Sequence, residues 1–233
     1  MEFLWRFAHS DDKDQGWDET VAWANDKERG IFESAVHAYA RGDQGTVSEE
    51  LVYASLDHKF PVCKVRVTND EVHNVTQDSG SYANRHSIGR EFIVGAPFHT
   101  TCSTPGRGTR TFLAYDLQDK SIKFLKDTWV PSLATSPEMD AYRLLHEKDI
   151  PYVMHPVCGG FVRDDEGAPQ STTNHKWASV AEGWLAPLNP TMRGYRHVRL
   201  VQDIMHCLKD LKSSRELIKV LRDVVRCKSP TPS

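Results

Sequence analysis

The sequence contains no long apolar segment, few cysteines and no strong excess of either charge. No run approaches the ~20 apolar residues of a membrane-spanning helix, and the N-terminal "EFLWRFAHSDDKD" turns acidic before a signal-peptide core can form. The five cysteines are odd in number and widely spread, which favours reduced thiols over a disulfide framework. These absences predict an intracellular protein, cytoplasmic or nuclear, with no membrane partner.

The chain also lacks a charge balance that would attract nucleic acid. It has 29 Lys and Arg against 32 Asp and Glu, a net charge of −3. Basic residues are frequent near the C-terminus, but acidic residues such as Asp203 and Asp223 are interleaved with them, so a solvated face is favoured over a nucleic-acid surface. The basic residues concerned are Arg193, Arg196, Arg199, Lys209, Lys212, Arg215, Lys219, Arg222 and Arg226.

The distribution of apolar residues indicates an α+β fold. Hydrophobic residues make up 39% of the 233, enough for a buried core and one or two domains. Good helix formers fill residues 1–45, β-branched residues dominate residues 61–100, and "TRTFLAYDL", "QDK" and "SIKFLKDTW" predict a β-hairpin. Residues 137–147 predict a helix with Ser136 as N-cap. Two further strands are predicted in "IPYVMHPVCGGFV" and "RHVRLVQDIM", and a capped helix after Ser213.

A lysine on the second hairpin strand is out of place in an apolar pattern. Lys126 lies in line with Ile122 and Phe124 at the period-two spacing of a strand. A lysine that faces a core keeps its charge only with a carboxylate partner, because an unpaired buried charge costs several kcal/mol. Alternatively, Lys126 extends from a sheet edge to water.

The helix after the hairpin offers that carboxylate. Glu138 shares its helical face with Ala141, Tyr142 and Leu145, whereas Asp140 points elsewhere. The spacing therefore predicts an ion pair between Lys126 and Glu138. The favourable position of an acid in the first helical turn is an alternative reason for Glu138.

A glycine-bearing turn precedes the hairpin. Gly106, Arg107 and Gly108 follow Pro105, and an ordinary turn would account for them. In chemical terms, however, backbone N–H groups of a glycine turn cover phosphates while a lysine held by a glutamate contacts them. The combination predicts the nucleotide-cradling half of a phosphoryl-transfer site.

These motifs resemble the fungal-type protein kinase family, a branch of the protein-kinase-like fold, over its N-terminal lobe and hinge only. The resemblance is carried by "GRGTRTFLAYDL", "IKFLKDTWV", "PEMDAYRLL" and "HVRLVQDIMHCLKDLKSSRELIKVLRDVV", of which "LKDTW" and "SSRELIKVLRDVV" are the most telling. The opening "EFLWRFAHSDDKDQGWDETV" is similar to the segment before the kinase lobe. The resemblance leaves residues 45–90 and 163–193 poorly matched.

The resemblance implies an organisation in three parts. Residues 1–45 would form a helical lead-in and residues 46–202 a kinase-like small lobe, with a twisted antiparallel sheet of about five strands and one packed helix. Residues 203–233 would form the hinge and the first large-lobe helix, truncated.

The resemblance also implies roles for single residues in a protein kinase that transfers phosphate from ATP, with Mg²⁺, to Ser or Thr. Gly106, Arg107 and Gly108 would cover the phosphates. Lys126 would contact them and Glu138 would hold Lys126. The hinge residues facing adenine would be Asp203, Ile204 and Met205.

Several positions depart from the family's pattern. Thr111 stands where the third glycine of the loop is expected, and Phe124 stands two before Lys126, where V-A-I-K has alanine. No H-R-D-type base or D-F-G-type aspartate occurs before Ser233. The chain as given is therefore expected to lack catalytic residues and to be inactive by itself.

Two other classes of function stay open. The first is a non-catalytic nucleotide-sensing or protein-interaction module, which would bind another protein through the apolar stripe of the C-terminal helix. That stripe consists of Leu217, Ile218, Leu221, Val224 and Val225. The second is a zinc site. His99, Cys102, His155 and Cys158 form two His-x-x-Cys half-sites, but the halves lie far apart and eleven histidines make chance pairs frequent, so no metal site is predicted.

Overall fold

The computed structural model has an α+β architecture, as the sequence predicts. It describes residues 18–42, 47–68, 89–101, 108–132, 137–148, 150, 153–154, 156–164, 166–172, 194–205 and 213–228. In these ranges the strands are β1 Val21–Trp23, β2 Cys63–Val67, β3 Arg90–Val94, β4 His99–Thr100, β5 Thr109–Asp116, β6 Ser121–Pro131, β7 Pro156–Phe161 and β8 Tyr195–Gln202. The helices are α1 Asp26–Arg41, α2 Glu49–Ala54, α3 Pro137–Glu147 and α4 Ser214–Lys228.

The strands form one antiparallel sheet in the order β1-β2-β3-β5-β6-β8-β7, with β4 paired to β5. The expectation of about five strands is therefore too low. The additional strands include β1 and β4, which have only three and two residues and therefore gave no strand signal in the sequence. The sheet is curled, so that strands near its two ends approach each other: the Thr68 hydroxyl after β2 donates to the Phe161 carbonyl of β7 at 2.8 Å.

Within the described residues, part of the predicted lead-in segment joins the sheet. Helix α1 is present where the lead-in was predicted to be helical, and the side chains and backbones of Asn25 and Glu28 form a reciprocal capping box at its start. However, Val21–Trp23 is a strand paired with β2. Residues 18–41 thus belong to the same sheet and core as the predicted small lobe, whereas residues 1–17 lie outside the described part.

The core lies on both faces of the sheet. On one face, Phe32 and Val36 of α1 pack with Ile93 and Leu113, and α2 adds Val52. More than the one expected helix therefore packs on the sheet. The opposite, concave face has its own buried cluster of Val65, Val67, Phe92, Val94, Ala114, Leu125, Cys158 and Val201.

The hairpin and the two later helices agree with the sequence-based predictions. Strands β5 and β6 pair from Thr109 with Thr128 to Asp116 with Ser121, and Lys120 in their turn has a positive φ of 51°. Helix α3 spans the predicted residues 137–147; its predicted N-cap lies outside the described residues. Helix α4 begins after Ser213, whose hydroxyl accepts the Glu216 N–H at 3.3 Å. None of the described helices is long and apolar enough to cross a membrane.

Gly95 offers a direct test of the packing between α1, α2 and the sheet. A Cβ at this position would overlap the Ser55 carbonyl oxygen and come within 2.9 Å of the Phe32 ring. We expect Gly95→Ala to lower the free energy of unfolding by about 3 kcal/mol, because the backbone of α2's C-terminus cannot move aside. Urea unfolding measures this change.

Gly30→Ala is the matched control. Gly30 lies on the exposed side of α1 with nothing within 4 Å of a new Cβ, so alanine should raise the free energy of unfolding by about 0.5–1 kcal/mol. Equal effects of the two substitutions would contradict the described packing.

Candidate functional site

Strand β6 divides its side chains between the two faces of the sheet. Lys126 lies on the same face as Ile122 and Phe124, as predicted from the spacing. In the pairing register it is flanked by Thr111 on β5 and Leu200 on β8. Lys126 is therefore on an internal strand, which excludes the sheet-edge interpretation.

Lys126 and Glu138 are brought together as the spacing predicts. The Lys126 Nζ donates to Glu138 Oε2 at 2.7 Å, and the two side chains are 30% and 40% exposed. An ion pair this accessible to water contributes about 0–1 kcal/mol to stability. The fold alone therefore gives little reason for a lysine at this position.

The rest of α3 supports this orientation of Glu138. Burial, and next to it the Glu138 carboxylate, raise the pKa of Tyr142, which lies one helical turn further on. Asp140 points elsewhere, as predicted, and lies 3.7 Å from Arg143. Glu138 is thus the acidic residue of α3 that faces the lysine strand.

The predicted glycine turn lies mostly outside the described residues. This applies to Gly106 and Arg107. Gly108 leads into β5, and its carbonyl accepts the Trp129 N–H at 3.1 Å. A Cβ on Gly108 would have its nearest neighbour, a Trp129 ring atom, at 3.7 Å, so packing does not require glycine there.

The predicted hinge follows directly after β8, the strand beside Lys126. Asp203 forms an ion pair with Lys123 at 2.6 Å. Ile204 packs against the α1 side of the core, and Met205 is 58% exposed. Of the three residues, Ile204 is the one that packs on the apolar face covered by α1.

Polar atoms without partners accompany Lys126 on this face. Thr111 Oγ1 and Gln202 Oε1 are buried and have no hydrogen-bond partner among the described residues. Thr111 is opposite Lys126 and Gln202 is opposite Phe124. Buried polar atoms are nearly always paired in folded proteins, so each of these is a place where a ligand or water is expected.

An aromatic pair borders the same region. The rings of Phe98 and Phe124 lie 5.6 Å apart between centroids, tilted by 59°. Phe124 lies two positions before Lys126 on β6, and Phe98 comes from the segment between β3 and β4. Together they occupy part of the apolar surface between Lys126 and the predicted hinge.

The opposite face of β6 carries a buried charge network that the sequence analysis missed. Asp127 accepts from His197 Nε2 at 2.6 Å and from Arg199 Nε at 3.3 Å. Arg199 also donates to Asp18 and Thr20. Arg199 is 2% exposed, so its assignment to a solvated face is wrong.

His197 completes the network from a stacked position on Trp129, with ring centroids 4.6 Å apart. Gln170 donates through Nε2 to Asp18 at 3.2 Å and presents Oε1 to His197 Nδ1 at 2.9 Å. Both ring nitrogens are therefore within hydrogen-bond distance of side-chain oxygens of the network.

Two acidic residues of the network have depressed pKa values. Burial by itself would raise the pKa of Asp127, but the hydrogen bond and charge of His197 and the charge of Arg199 hold it far below its usual range. Burial would also raise the pKa of Asp18, but the charge of Arg199 and the hydrogen bonds from Thr20 lower it below the usual value. The charged forms are thus stabilised in the folded protein.

The residues of the zinc alternative do not converge. His99 pairs with Thr111 and lies on the Lys126 face, whereas Cys158 belongs to the cluster on the concave face. Burial raises the pKa of Cys158 to about 12, which disfavours a thiolate ligand. Cys102 and His155 lie outside the described residues.

The apolar stripe of α4 is exposed in the described part of the chain. Leu217, Ile218, Leu221 and Val224 are 43%, 65%, 54% and 47% exposed; the Val225 side chain lies outside the description. The stripe predicted from the sequence is therefore present on the helix surface.

Asp127 provides a test of the buried network. Its pKa is lower in the folded than in the unfolded protein, so its stabilising contribution is complete above the unfolded pKa of about 4 and is lost as pH falls below it. We expect Asp127→Asn to lower the free energy of unfolding at pH 7 by about 3 kcal/mol, because Arg199 and His197 lose their shared anion. The deficit should shrink below about pH 4, as urea unfolding across pH would show.

Glu33→Gln is the control for this change, because Glu33 is exposed on α1 and its loss should leave stability within about 0.5 kcal/mol. A deficit for Asp127→Asn that stays constant down to pH 2.5 would contradict the role given to the carboxylate.

No family model matches this chain, and neither curated proteins nor solved structures give a match. What the Lys126 face does must therefore follow from its own chemistry.

Proposed function

We propose that this chain is a protein-kinase-like small lobe whose Lys126 binds the phosphates of ATP. The observation that carries the proposal is the 2.7 Å ion pair between Lys126 on an internal strand and Glu138 on the helix that follows. In protein kinases a lysine on the third strand and a glutamate on the next helix form this pair, and the lysine contacts the nucleotide phosphates.

The exposure of the pair supports a ligand-binding role. Glu138 fixes the position of Lys126, yet both side chains stay open to solvent, so an incoming phosphate can reach the ammonium group. A fully buried pair would have to break first, at a cost of several kcal/mol. Glu138 thus fixes the position of the Lys126 ammonium group while leaving it accessible to solvent.

The neighbouring polar atoms support the same location. Thr111 Oγ1 and Gln202 Oε1 flank Lys126 and Phe124 without partners among the described residues. The hydroxyl donates to a phosphate oxygen, and the amide oxygen accepts from an exocyclic amine of a base. Gln202 also leads into Asp203–Met205, where the family resemblance puts the base.

The Phe98–Phe124 pair limits how the base binds. A purine beside Phe124 would compete with the Phe98 ring for the same apolar surface. Phosphate binding at Lys126 does not require Phe98 to move. Phe98 is therefore expected to weaken binding of the base without affecting binding of the phosphates.

Lys126→Ala tests the proposal. We expect isothermal titration calorimetry with Mg²⁺ to show ATP and pyrophosphate binding to the wild type, and Lys126→Ala to weaken both at least 10-fold, because a charged hydrogen bond to phosphate is worth about 1.5–3 kcal/mol. Phe98→Ala should strengthen ATP binding and leave pyrophosphate unchanged. Residues 1–233 contain no H-R-D-type base or D-F-G-type aspartate, so we expect no transfer of the γ-phosphoryl group from bound ATP to a protein substrate.

Lys64→Ala is the matched control. Lys64 is 28% exposed and pairs with Glu28 at 3.1 Å, so it resembles Lys126 in exposure and partner but lies on β2. Its loss should leave nucleotide affinity unchanged. Equal weakening by the two variants, or no nucleotide binding by the wild type, would refute the proposed site.

The exposed stripe of α4 favours a second candidate, a non-catalytic interaction module. Four neighbouring apolar side chains at 43–65% exposure form a surface of the kind that partner proteins cover. On this hypothesis Leu221→Glu abolishes concentration-dependent association in analytical ultracentrifugation, whereas Lys219→Glu on the same helix does not. A monomer at all concentrations would count against self-association through α4.

A further inference from the structure

The concave face of the sheet encloses a cavity that the nucleotide proposal does not use. Its volume is about 530 Å³, within the range of about 300–1,000 Å³ typical of small-molecule sites. Leu125 of β6 lines it, one residue away from Lys126 but on the other face. The cavity therefore belongs to a separate site.

The walls of the cavity are apolar over most of their length. The lining side chains on the strands include Val21, Val65, Val94, Phe112 and Leu125. Trp23 and Phe60 also line it and are 62% and 46% exposed, so aromatic rings stand where the cavity opens to solvent. Large exposed aromatic side chains beside an apolar cavity are typical of a binding site.

Four charged side chains also line the cavity, and that of Arg110 is the most accessible to a ligand. The four are Asp18, Arg110, Asp127 and Arg199. The oxygens of Asp18 and Asp127 accept hydrogen bonds from Arg199, His197, Thr20 and Gln170 within the network. Arg199 in turn is buried with its own partners. The two acids are therefore already hydrogen-bonded within the network, and their side chains are only 20% (Asp18) and 6% (Asp127) exposed.

Arg110 differs from these residues in exposure and pairing. Its side chain is 52% exposed, and it forms an ion pair with Asp127 Oδ2 at 3.7 Å, a distance too long for a hydrogen bond. A guanidinium has five N–H donors and binds carboxylates in a planar, two-point geometry. Arg110 is therefore the most exposed charged side chain among those that line the cavity.

We propose that this cavity binds a small amphipathic carboxylate, with its apolar body among the valines and Leu125 and its carboxylate on Arg110. The proposal is independent of nucleotide binding, because it uses the opposite face of the sheet. It assigns Arg110 the recognition of the anionic group, and Trp23 and Phe60 the contact with the apolar part near the opening.

The test uses 8-anilinonaphthalene-1-sulfonate, an apolar aromatic anion, as the fluorescent probe on the full chain. We expect one saturable site from which decanoate displaces the probe, with 1-decanol at least 10-fold weaker because it lacks the anion. Arg110→Gln should weaken decanoate about 10-fold, and Arg143→Gln, which removes a similarly exposed arginine from α3, should not.

A second pair of variants tests the location. Thr100 is exposed, lines the cavity and lies opposite Arg110 in the β4–β5 pairing, so Thr100→Trp should block the opening and abolish displaceable binding. His99→Trp puts the same ring on the other face of β4 and should leave binding intact. Circular dichroism and thermal unfolding confirm that each variant is folded.

Three outcomes would overturn the proposal. The first is that decanoate fails to displace the probe or that the probe does not bind. The second is that decanol competes as well as decanoate. The third is that folded Thr100→Trp and Arg110→Gln proteins bind like the wild type, which would put the probe elsewhere, for example on the α4 stripe.

Discussion

The buried guanidinium of Arg199 is the interaction on which the rest of the structure depends. It joins β8 to Asp127 on β6, to Asp18 and Thr20 before β1, and to the Arg66 carbonyl of β2 at 3.3 Å. These segments come from opposite ends of the sheet. A charge removed from water is tolerated only with close partners, so folding must bring β1, β2, β6 and β8 together around this one side chain, and the sheet curls as a result.

That curl gives the two faces of β6 different chemistry. Lys126 and Asp127 are neighbours in sequence, yet their side chains point to opposite faces because strand side chains alternate. Asp127 is buried on the concave face, where the charges of His197 and Arg199 hold its pKa below the usual range. Lys126 lies on the face toward α3 and is partly open to water. One strand thus supplies a structural ion pair on one side and a ligand-accessible ion pair on the other.

The regular elements with local signals were predictable and the long-range ones were not. The hairpin, α3 and α4 follow from alternation, turn residues and caps within a few positions, and the pairing of Lys126 with Glu138 follows from helix and strand periodicity. Strand β1 has three residues, and its pairing with β2 about 40 positions later leaves no local pattern. The Asp18–Arg199 contact spans 181 positions. A usable signal was present nevertheless. Asp127 lies two positions after Leu125 and Arg199 two positions before Val201, so each shares a strand face with a buried apolar residue rather than with solvated ones.

The contrast between the two ion pairs bears on why Lys126 is there at all. Removing either partner of the buried pair leaves an uncompensated charge, so selection for stability alone would retain Asp127 and Arg199. The exposed pair contributes about 0–1 kcal/mol, because the side-chain entropy lost in holding two long side chains together offsets much of the attraction. An apolar residue in line with Ile122 and Phe124 would pack on the same face without that loss. A lysine there, held by a glutamate and beside a Thr111 hydroxyl that has no partner among the described residues, is poorly explained by stability, whereas a negatively charged ligand would explain it. The weakness of the Lys126–Glu138 pair as a stabilising interaction is therefore the main physical support for the proposed phosphate site.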